Sequence, residues 1–192
     1  MIKKAVFCLG LFFLCGCAYF SYIKNPFSDI PNFYKVDNLL YRGGQPHIKG
    51  WGKIKSLKIK TIINLQDENK KFLKEKELAD NAGINLYNLP MSVYKEPTDE
   101  QVLKFLEIVL KKSNQPVFVH CDSGRDRTGV MVALYRVVVC GWTIKDSYNE
   151  ARKFGFWPYY GEEAVLKKFI HQLKDKRIYF KKARELLNEK TN

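Results

Sequence analysis

The stretch His120-Cys121-Asp122-Ser123-Gly124-Arg125-Asp126-Arg127-Thr128-Gly129 decides the reading of this chain. Five residues separate a cysteine from an arginine, with His in front, Gly inside and Thr-Gly behind. The bare spacing arises by chance in roughly one ordinary chain in ten, and the framing residues reduce that to on the order of one in a million. Upstream, Pro116-Val117-Phe118-Val119 is a β-branched and aromatic run that predicts a buried strand. Downstream, Val130 to Val139 is apolar nearly throughout and predicts a buried helix. The quoted stretch therefore joins strand to helix. In such a turn backbone N–H groups point inward and the helix N-terminus adds partial positive charge, which suits a phosphate. The same field favours a thiolate at Cys121, which is a nucleophile for covalent catalysis. Arg127 offers a planar fork that matches two phosphate oxygens at once. Asp122, Ser123, Gly124, Arg125, Asp126 and Thr128 complete the candidate phosphate loop. Gly124 is expected to take a backbone conformation closed to other residues, and Gly129 to let the helix pack closely. Thr128 is expected to hydrogen-bond the sulfur and ease its departure. His120 is expected to buttress the loop rather than act as a base. Singly, these residues say little. A cysteine ending a buried strand is ordinarily a small core hydrophobe, and an arginine at a helix start is ordinarily a surface charge.

The string resembles the phosphate-binding loop of the cysteine-dependent phosphatases, the protein tyrosine phosphatase superfamily, and in particular its small dual-specificity-like members. Tyr41-Arg42-Gly43-Gly44-Gln45-Pro46 resembles a segment near the start of those domains, where Arg42 is expected to be structural. Thr61-Ile62-Ile63-Asn64-Leu65 stands where the family places an Asn-Leu strand. The likeness covers residues 38–173, strongly at the loop and loosely elsewhere. It implies a single α/β domain with a central sheet of about four to five strands flanked by helices. It also implies hydrolysis of phosphate monoesters through a phosphocysteine. The substrate would be a phosphorylated protein, at tyrosine or at serine and threonine, or a phosphoinositide or inositol phosphate. The alternative is a catalytically weak module that recognises phosphorylated partners. A rhodanese or arsenate reductase is disfavoured by the Arg-Thr-Gly ending.

Loss of the alcohol needs a general acid. Most of the superfamily carries an aspartate for this on a separate loop well before the nucleophile. The corresponding segment here, residues 85–92, has no carboxylate. Gly124-Arg125-Asp126-Arg127-Thr128 resembles the loops of myotubularins and of bacterial triple-specificity and lipid phosphatases, in which that aspartate is proposed as the acid. Arg125 stands where those enzymes commonly have lysine. Asp126 is therefore the favoured acid, and Glu96 or Asp99 on the preceding loop is the alternative. Thr98 with Gln101 also reads as a capping box opening a helix. Asp122 is expected to face solvent.

Outward from the loop, the rest suits one domain. Residues 69–82 predict a Lys/Glu-rich helix ending at Gly83. A strand is expected over 84–89, an amphipathic helix over 98–112, and two further helices over 143–154 and 162–188. Strands alternating with helices argue a sheet covered on both sides. At the other end, Met1-Ile2-Lys3-Lys4 and the apolar run from Ala5 form a secretory pattern. Leu14-Cys15-Gly16-Cys17 resembles a bacterial lipobox that would leave Cys17 lipidated. The alternative is an uncleaved anchor, since residues 5–23 carry no charge. Residues 1–23 are thus read as a leader or anchor and 24–192 as the domain, which implies an exported, membrane-associated protein of a bacterial envelope. Five cysteines make no disulfide framework: three lie in the leader, and Cys121 and Cys140 lie at opposite ends of one predicted helix, about 20 Å apart. Cys140 is expected in the core. An exported free thiol is exposed to oxidation, which stands in tension with the leader. The formal charge of +13 favours anionic partners. No nucleic-acid module is present, and no His/Cys cluster suggests a metal or other cofactor.

Overall fold

The computed structural model describes residues 28–66, 70–157 and 163–189. Residues 1–27, on which the leader or anchor and Cys17 were read, and Pro158-Tyr159-Tyr160 lie outside the described residues. Among those described, no helix is long and apolar enough to cross a membrane.

Five strands make one mixed sheet: β1 (Tyr34–Lys35), β2 (Leu40–Gly44), β3 (Thr61–Asn64), β4 (Asn85–Asn88) and β5 (Val117–Cys121). Their spatial order is β1-β2-β5-β3-β4. Only β1 runs antiparallel to its neighbour, so the C-terminal ends of the other four open on one edge. Every residue of β5 and of β3 is buried, as expected of parallel strands covered on both faces. Successive side chains feed opposite faces. Ile63, Val117, Val119 and Cys121 enter the larger core, whereas Ile62 and Phe118 enter a smaller one with Ile30, Trp51 and Ile54.

Helices α1 (Gly50–Ser56) and α2 (Lys70–Ala82) bear on the smaller core. On the other face lie α3 (Asp99–Leu110), α4 (Asp126–Val138), α5 (Ile144–Lys153), α6 (Glu163–Gln172) and α7 (Arg177–Asn188). α4 is buried without interruption from Thr128 to Val138 because α3, α5, α6 and α7 surround it. That burial explains its apolar composition, which a one-sided surface helix would not tolerate. α3 opens with the expected capping box: Thr98 accepts from Gln101 N–H at 3.2 Å and Gln101 accepts from Thr98 N–H at 2.8 Å.

The structure corrects two expectations here. The helix read over 162–188 is broken. A 3-10 turn over Leu173–Asp175 and a non-helical Lys176 separate α6 from α7. Leu173 is pinned in the core, and past it the chain swings onto α3, where Tyr179 is buried and donates its hydroxyl to Asp99. Lys182 of α7 reaches Glu107 of α3 at 2.9 Å. Apolar spacing is continuous through the break and does not register the change of direction. Cys140, expected in the core, is exposed. It falls beyond the end of α4, where the chain turns through Gly141 at φ +70°. β1 and α1 carry no sequence expectation. The first is two residues long, and the second has two glycines in seven positions, which weakens any propensity signal.

Candidate active site

Cys121 ends β5 at the open edge of the sheet, opposite Gly44 of β2. This is the edge at which parallel α/β sheets bind ligands. The loop from Asp122 to Arg125 then rises into α4. Its three leading carbonyls are all turned outward. Asp122 C=O accepts from Gln45 N–H at 2.9 Å, Ser123 C=O from the Asn32 side-chain amide at 2.9 Å, and Gly124 C=O from Arg42 Nη2 at 2.6 Å. A trans peptide holds its N–H opposite its C=O. The amides of Ser123, Gly124 and Arg125 therefore point into the loop, forming a concavity of donors. Arg125, the N-cap of α4, makes no side-chain capping bond, so the first-turn amides of α4 remain available for an anion.

Gly124 has φ +72°, and a Cβ there would meet the Gly43 carbonyl carbon at 2.4 Å and Gly44 N at 2.5 Å. A Cβ on Gly44 would meet Asp122 O at 2.7 Å. Gly44 thus lets two backbones touch, whereas a Cβ on Gly43 would crowd the side chains of Ile30 and Phe118 at 3.0 Å. Gly129 is different. A Cβ there would sit 3.6 Å from the Phe156 ring, an ordinary contact, so close packing of α4 does not demand glycine.

Arg127 is half-buried, with Nη1 3.4 Å from Leu65 O, and its Nε is buried with no hydrogen-bond partner among the described residues. Thr128 is buried, and its hydroxyl faces Gly43 O at 3.4 Å. Asp122 faces solvent as expected and pairs with Lys71 at 3.1 Å. Of the candidate acids, Asp126 lies in the first turn of α4. Trp157 N–H lies 3.5 Å from one of its oxygens and Arg125 Nη2 3.4 Å from the other. Asp99 is instead engaged by Tyr179 of α7, and Glu96 is half-buried on the segment before α3. Among the described residues no cluster of His, Cys, Asp and Glu is disposed to hold a metal.

His120 supports the loop from behind. Its ring is fully buried, stacks on Phe118 and lies 2.8 Å from Glu75. Arg42 is also fully buried, stacked over Phe154 at 4.1 Å. Glu75, Asn64, Gln66, Gln45 and Asn32 complete this support, and the sequence reading assigned none of them a role. One signal was present for Glu75. Phe72, Glu75 and Ala79 share a helical stripe, so the charge sits on the apolar face of α2. A cleft of about 490 Å³ opens beside the loop, lined in part by Gln45, His47, Trp51, Lys71, Lys74 and Asp122.

Comparison with known proteins finds the chain similar to phosphatases. It matches the tyrosine phosphatase family over residues 29–190. It is 32% identical over 127 residues to inositol diphosphatase DSP4 of Arabidopsis thaliana, covering 64% of this chain and 63% of that protein. It is 34% identical over 135 residues to inositol diphosphatase SIW14 of Saccharomyces cerevisiae, covering 65% and 46%. To the dual specificity protein phosphatase TpbA of Pseudomonas aeruginosa it is 26% identical over 126 residues, covering 65% and 55%. The chain thus spans less than two thirds of the length of each of these relatives. The crystal structure of the SIW14 catalytic core with citrate superposes with a TM-score of 0.67 at 30% identity, over 77% of this chain and 88% of that one. The TpbA structure, at 23% identity and a TM-score of 0.65, shares the fold.

The contact between Gly124 and β2 leads to a prediction. Gly124→Ala strains a positive φ and drives a methyl group into backbone, so the loop opens while the sheet persists. Thermal stabilisation by inorganic phosphate, measured as a shift in Tm, should vanish in this variant. A shift equal to that of the wild type would show that the close approach is dispensable.

Proposed function

The chain belongs to the tyrosine phosphatase family, and from that premise we propose that it hydrolyses phosphate monoesters through a phosphocysteine. The observation that carries this reading is the cradle, with three carbonyls held outward, three amides turned inward, Cys121 at its base and Arg127 at its rim. In this reading a substrate phosphate seats on the inward amides and on the Arg127 fork. The Cys121 thiolate attacks phosphorus, and the ester P–O bond breaks as the S–P bond forms. An acid protonates the leaving oxygen. Water then cleaves the S–P bond, giving inorganic phosphate and the thiolate, with Thr128 easing sulfur's departure. Arg127 and the amides stabilise the charge spread over the transferring oxygens.

Asp126 is our candidate for the acid, supported by its place on the loop one residue from Arg127. The engagement of Asp99 by Tyr179 weighs against Asp99. For substrate, the relatives named as inositol diphosphatases and as a dual specificity protein phosphatase support an inositol phosphate or a phosphorylated protein, and the +13 charge suits either. A phosphoinositide remains in the same chemical class. A panel of these substrates ranks them by kcat/KM. We further propose that Cys17 is lipidated and tethers the domain to a membrane, on the pattern of residues 1–17.

Three measurements test these assignments. Cys121→Ser should abolish turnover of an aryl phosphate yet keep phosphate binding, because the cradle survives without the thiolate. Turnover retained in that variant would end the covalent mechanism, and a wild type that binds but never turns over would make the chain a recognition module. Asp126→Asn should slow hydrolysis of alkyl phosphates strongly and barely affect esters whose leaving group is already a stable anion. A leaving-group-dependent loss in Glu96→Gln or Asp99→Asn instead would move the acid to the preceding segment. Labelled fatty acid should enter the wild type in a bacterial host and be lost in Cys17→Ser. Membrane association without label would identify an uncleaved anchor.

A further inference from the structure

Glu75 is, among the described residues, the one carboxylate removed from solvent, at 1% exposure. A buried charge costs several kcal/mol unless it is paired and hydrogen-bonded. A residue serving only to fill space on the apolar face of α2 would be better as an apolar side chain. The partner of Glu75 is the residue that precedes the candidate nucleophile. Glu75 Oε1 lies 2.8 Å from His120 Nε2, and Oε2 accepts from the Asn64 side-chain amide at 2.6 Å. The other nitrogen of the His120 ring, Nδ1, lies 3.2 Å from Cys121 O. Both ring nitrogens therefore face acceptor oxygens.

The bonds do not stop at His120. Asn64 Oδ1 accepts from Gln66 N–H at 2.7 Å, Gln66 Nε2 donates to Gln45 Oε1 at 2.6 Å, and Gln45 N–H donates to Asp122 O at 2.9 Å. The path leaves the chain at His120 and returns to it at Asp122, so it closes around Cys121. Burial alone would push the Glu75 carboxyl up, but the charge of His120 and the hydrogen bonds from His120, Asn64 and Gln45 outweigh it and hold the carboxyl below its usual range.

Resting on the reading of Cys121 as nucleophile, we propose that Glu75 is a positioning residue. Acting through His120, whose Nδ1 lies 3.2 Å from Cys121 O, it fixes the nucleophile end of the phosphate loop. Arg42 supplies a cation near Cys121 from the β2 side, and the exposed Asp122–Lys71 pair lies at the mouth. Glu75 also lines the cleft beside the loop and connects to it through Asn64, Gln66 and Gln45, and the double variant separates the His120 route from that one.

The test uses the full chain with Glu75→Gln, His120→Gln and the double variant. Alkylation of Cys121 by iodoacetamide is followed by mass spectrometry of the peptide that carries it, which separates it from the exposed Cys140. kcat and KM for an aryl phosphate, and inhibition by inorganic phosphate, are measured alongside. Glu75→Gln should slow alkylation and lower kcat by between about tenfold and a hundredfold, the scale of a displaced reacting group. KM and phosphate inhibition should stay within about threefold of wild type, because the inward amides and Arg127 are untouched and the loss lies in the reacting step. The double variant should be no slower than His120→Gln alone, because groups that act in series do not add. Alkylation and kcat within about twofold of wild type in Glu75→Gln, or losses that add in the double variant, would overturn the proposal. Should Glu75→Gln fail to fold, Asn64→Ala keeps the Glu75–His120 contact and frees one carboxylate oxygen. Slower alkylation there supports the proposal, and an unchanged rate overturns it. A wild type without turnover whose Cys121 alkylation still depends on Glu75 would sink the phosphatase reading and leave this one standing.

Discussion

A peptide plane has two polar sides, and the loop after Cys121 is built by controlling which side faces in. Three outside donors from the start of the domain and from β2 hold the carbonyls of Asp122, Ser123 and Gly124 outward. With those carbonyls fixed, the amides that follow have no freedom to turn away. The rest of the structure serves this constraint. β2 must lie against β5 in parallel so that Gln45 follows directly on the strand end opposite Cys121. The backbone of β2 must come close enough for the bonds to form, which is why Gly44 carries no side chain and Gly124 takes a positive φ. Donors arranged before the ligand arrives need no reorganisation when charge develops, and that is where such sites gain most of their stabilisation of a transition state.

Holding the loop this way places three ionisable groups where water does not reach. Arg42, His120 and Glu75 are all buried. Burial lowers the pKa of Arg42 to about 10, against the opposing charges of Glu150 and Cys121, so the guanidinium remains charged at neutral pH. Its Nη2 donates to Gly124 O and the guanidinium stacks on Phe154, while Nε and Nη1 find no acceptor among the described residues. The guanidinium of Arg42 acts on Cys121 from the β2 side. The carboxylate of Glu75 stands behind the His120 ring rather than beside the sulfur.

Legibility in the sequence followed distance along the chain. The loop could be read because its functional parts are consecutive, and the hydrophobic patterns around it sufficed to predict strand β5, helix α4 and an alternating α/β order. Arg42 was read as structural from its setting, and it is. What could not be read are the residues that hold the loop from afar. Asn32 lies 91 residues from the carbonyl it engages and Arg42 lies 82 from its own, and nothing local marks either target. Glu75 was hidden in a Lys/Glu-rich helix where a charge reads as a solvated face, although its spacing from Phe72 and Ala79 puts it on the inner stripe. The same limit accounts for the helix read across Leu173–Lys176. Periodicity records which residues want burial, while the bend that lets Tyr179 reach Asp99 depends on where α3 stands in space. Cys140 failed in the opposite sense: its distance from Cys121 excluded a bridge and left the core as its expected place, but the helix ends at Val138 and the cysteine is exposed. In this fold the chemistry is a local string, and what makes the string hold its shape is a set of long-range partners whose polar side chains look, in sequence, like ordinary surface.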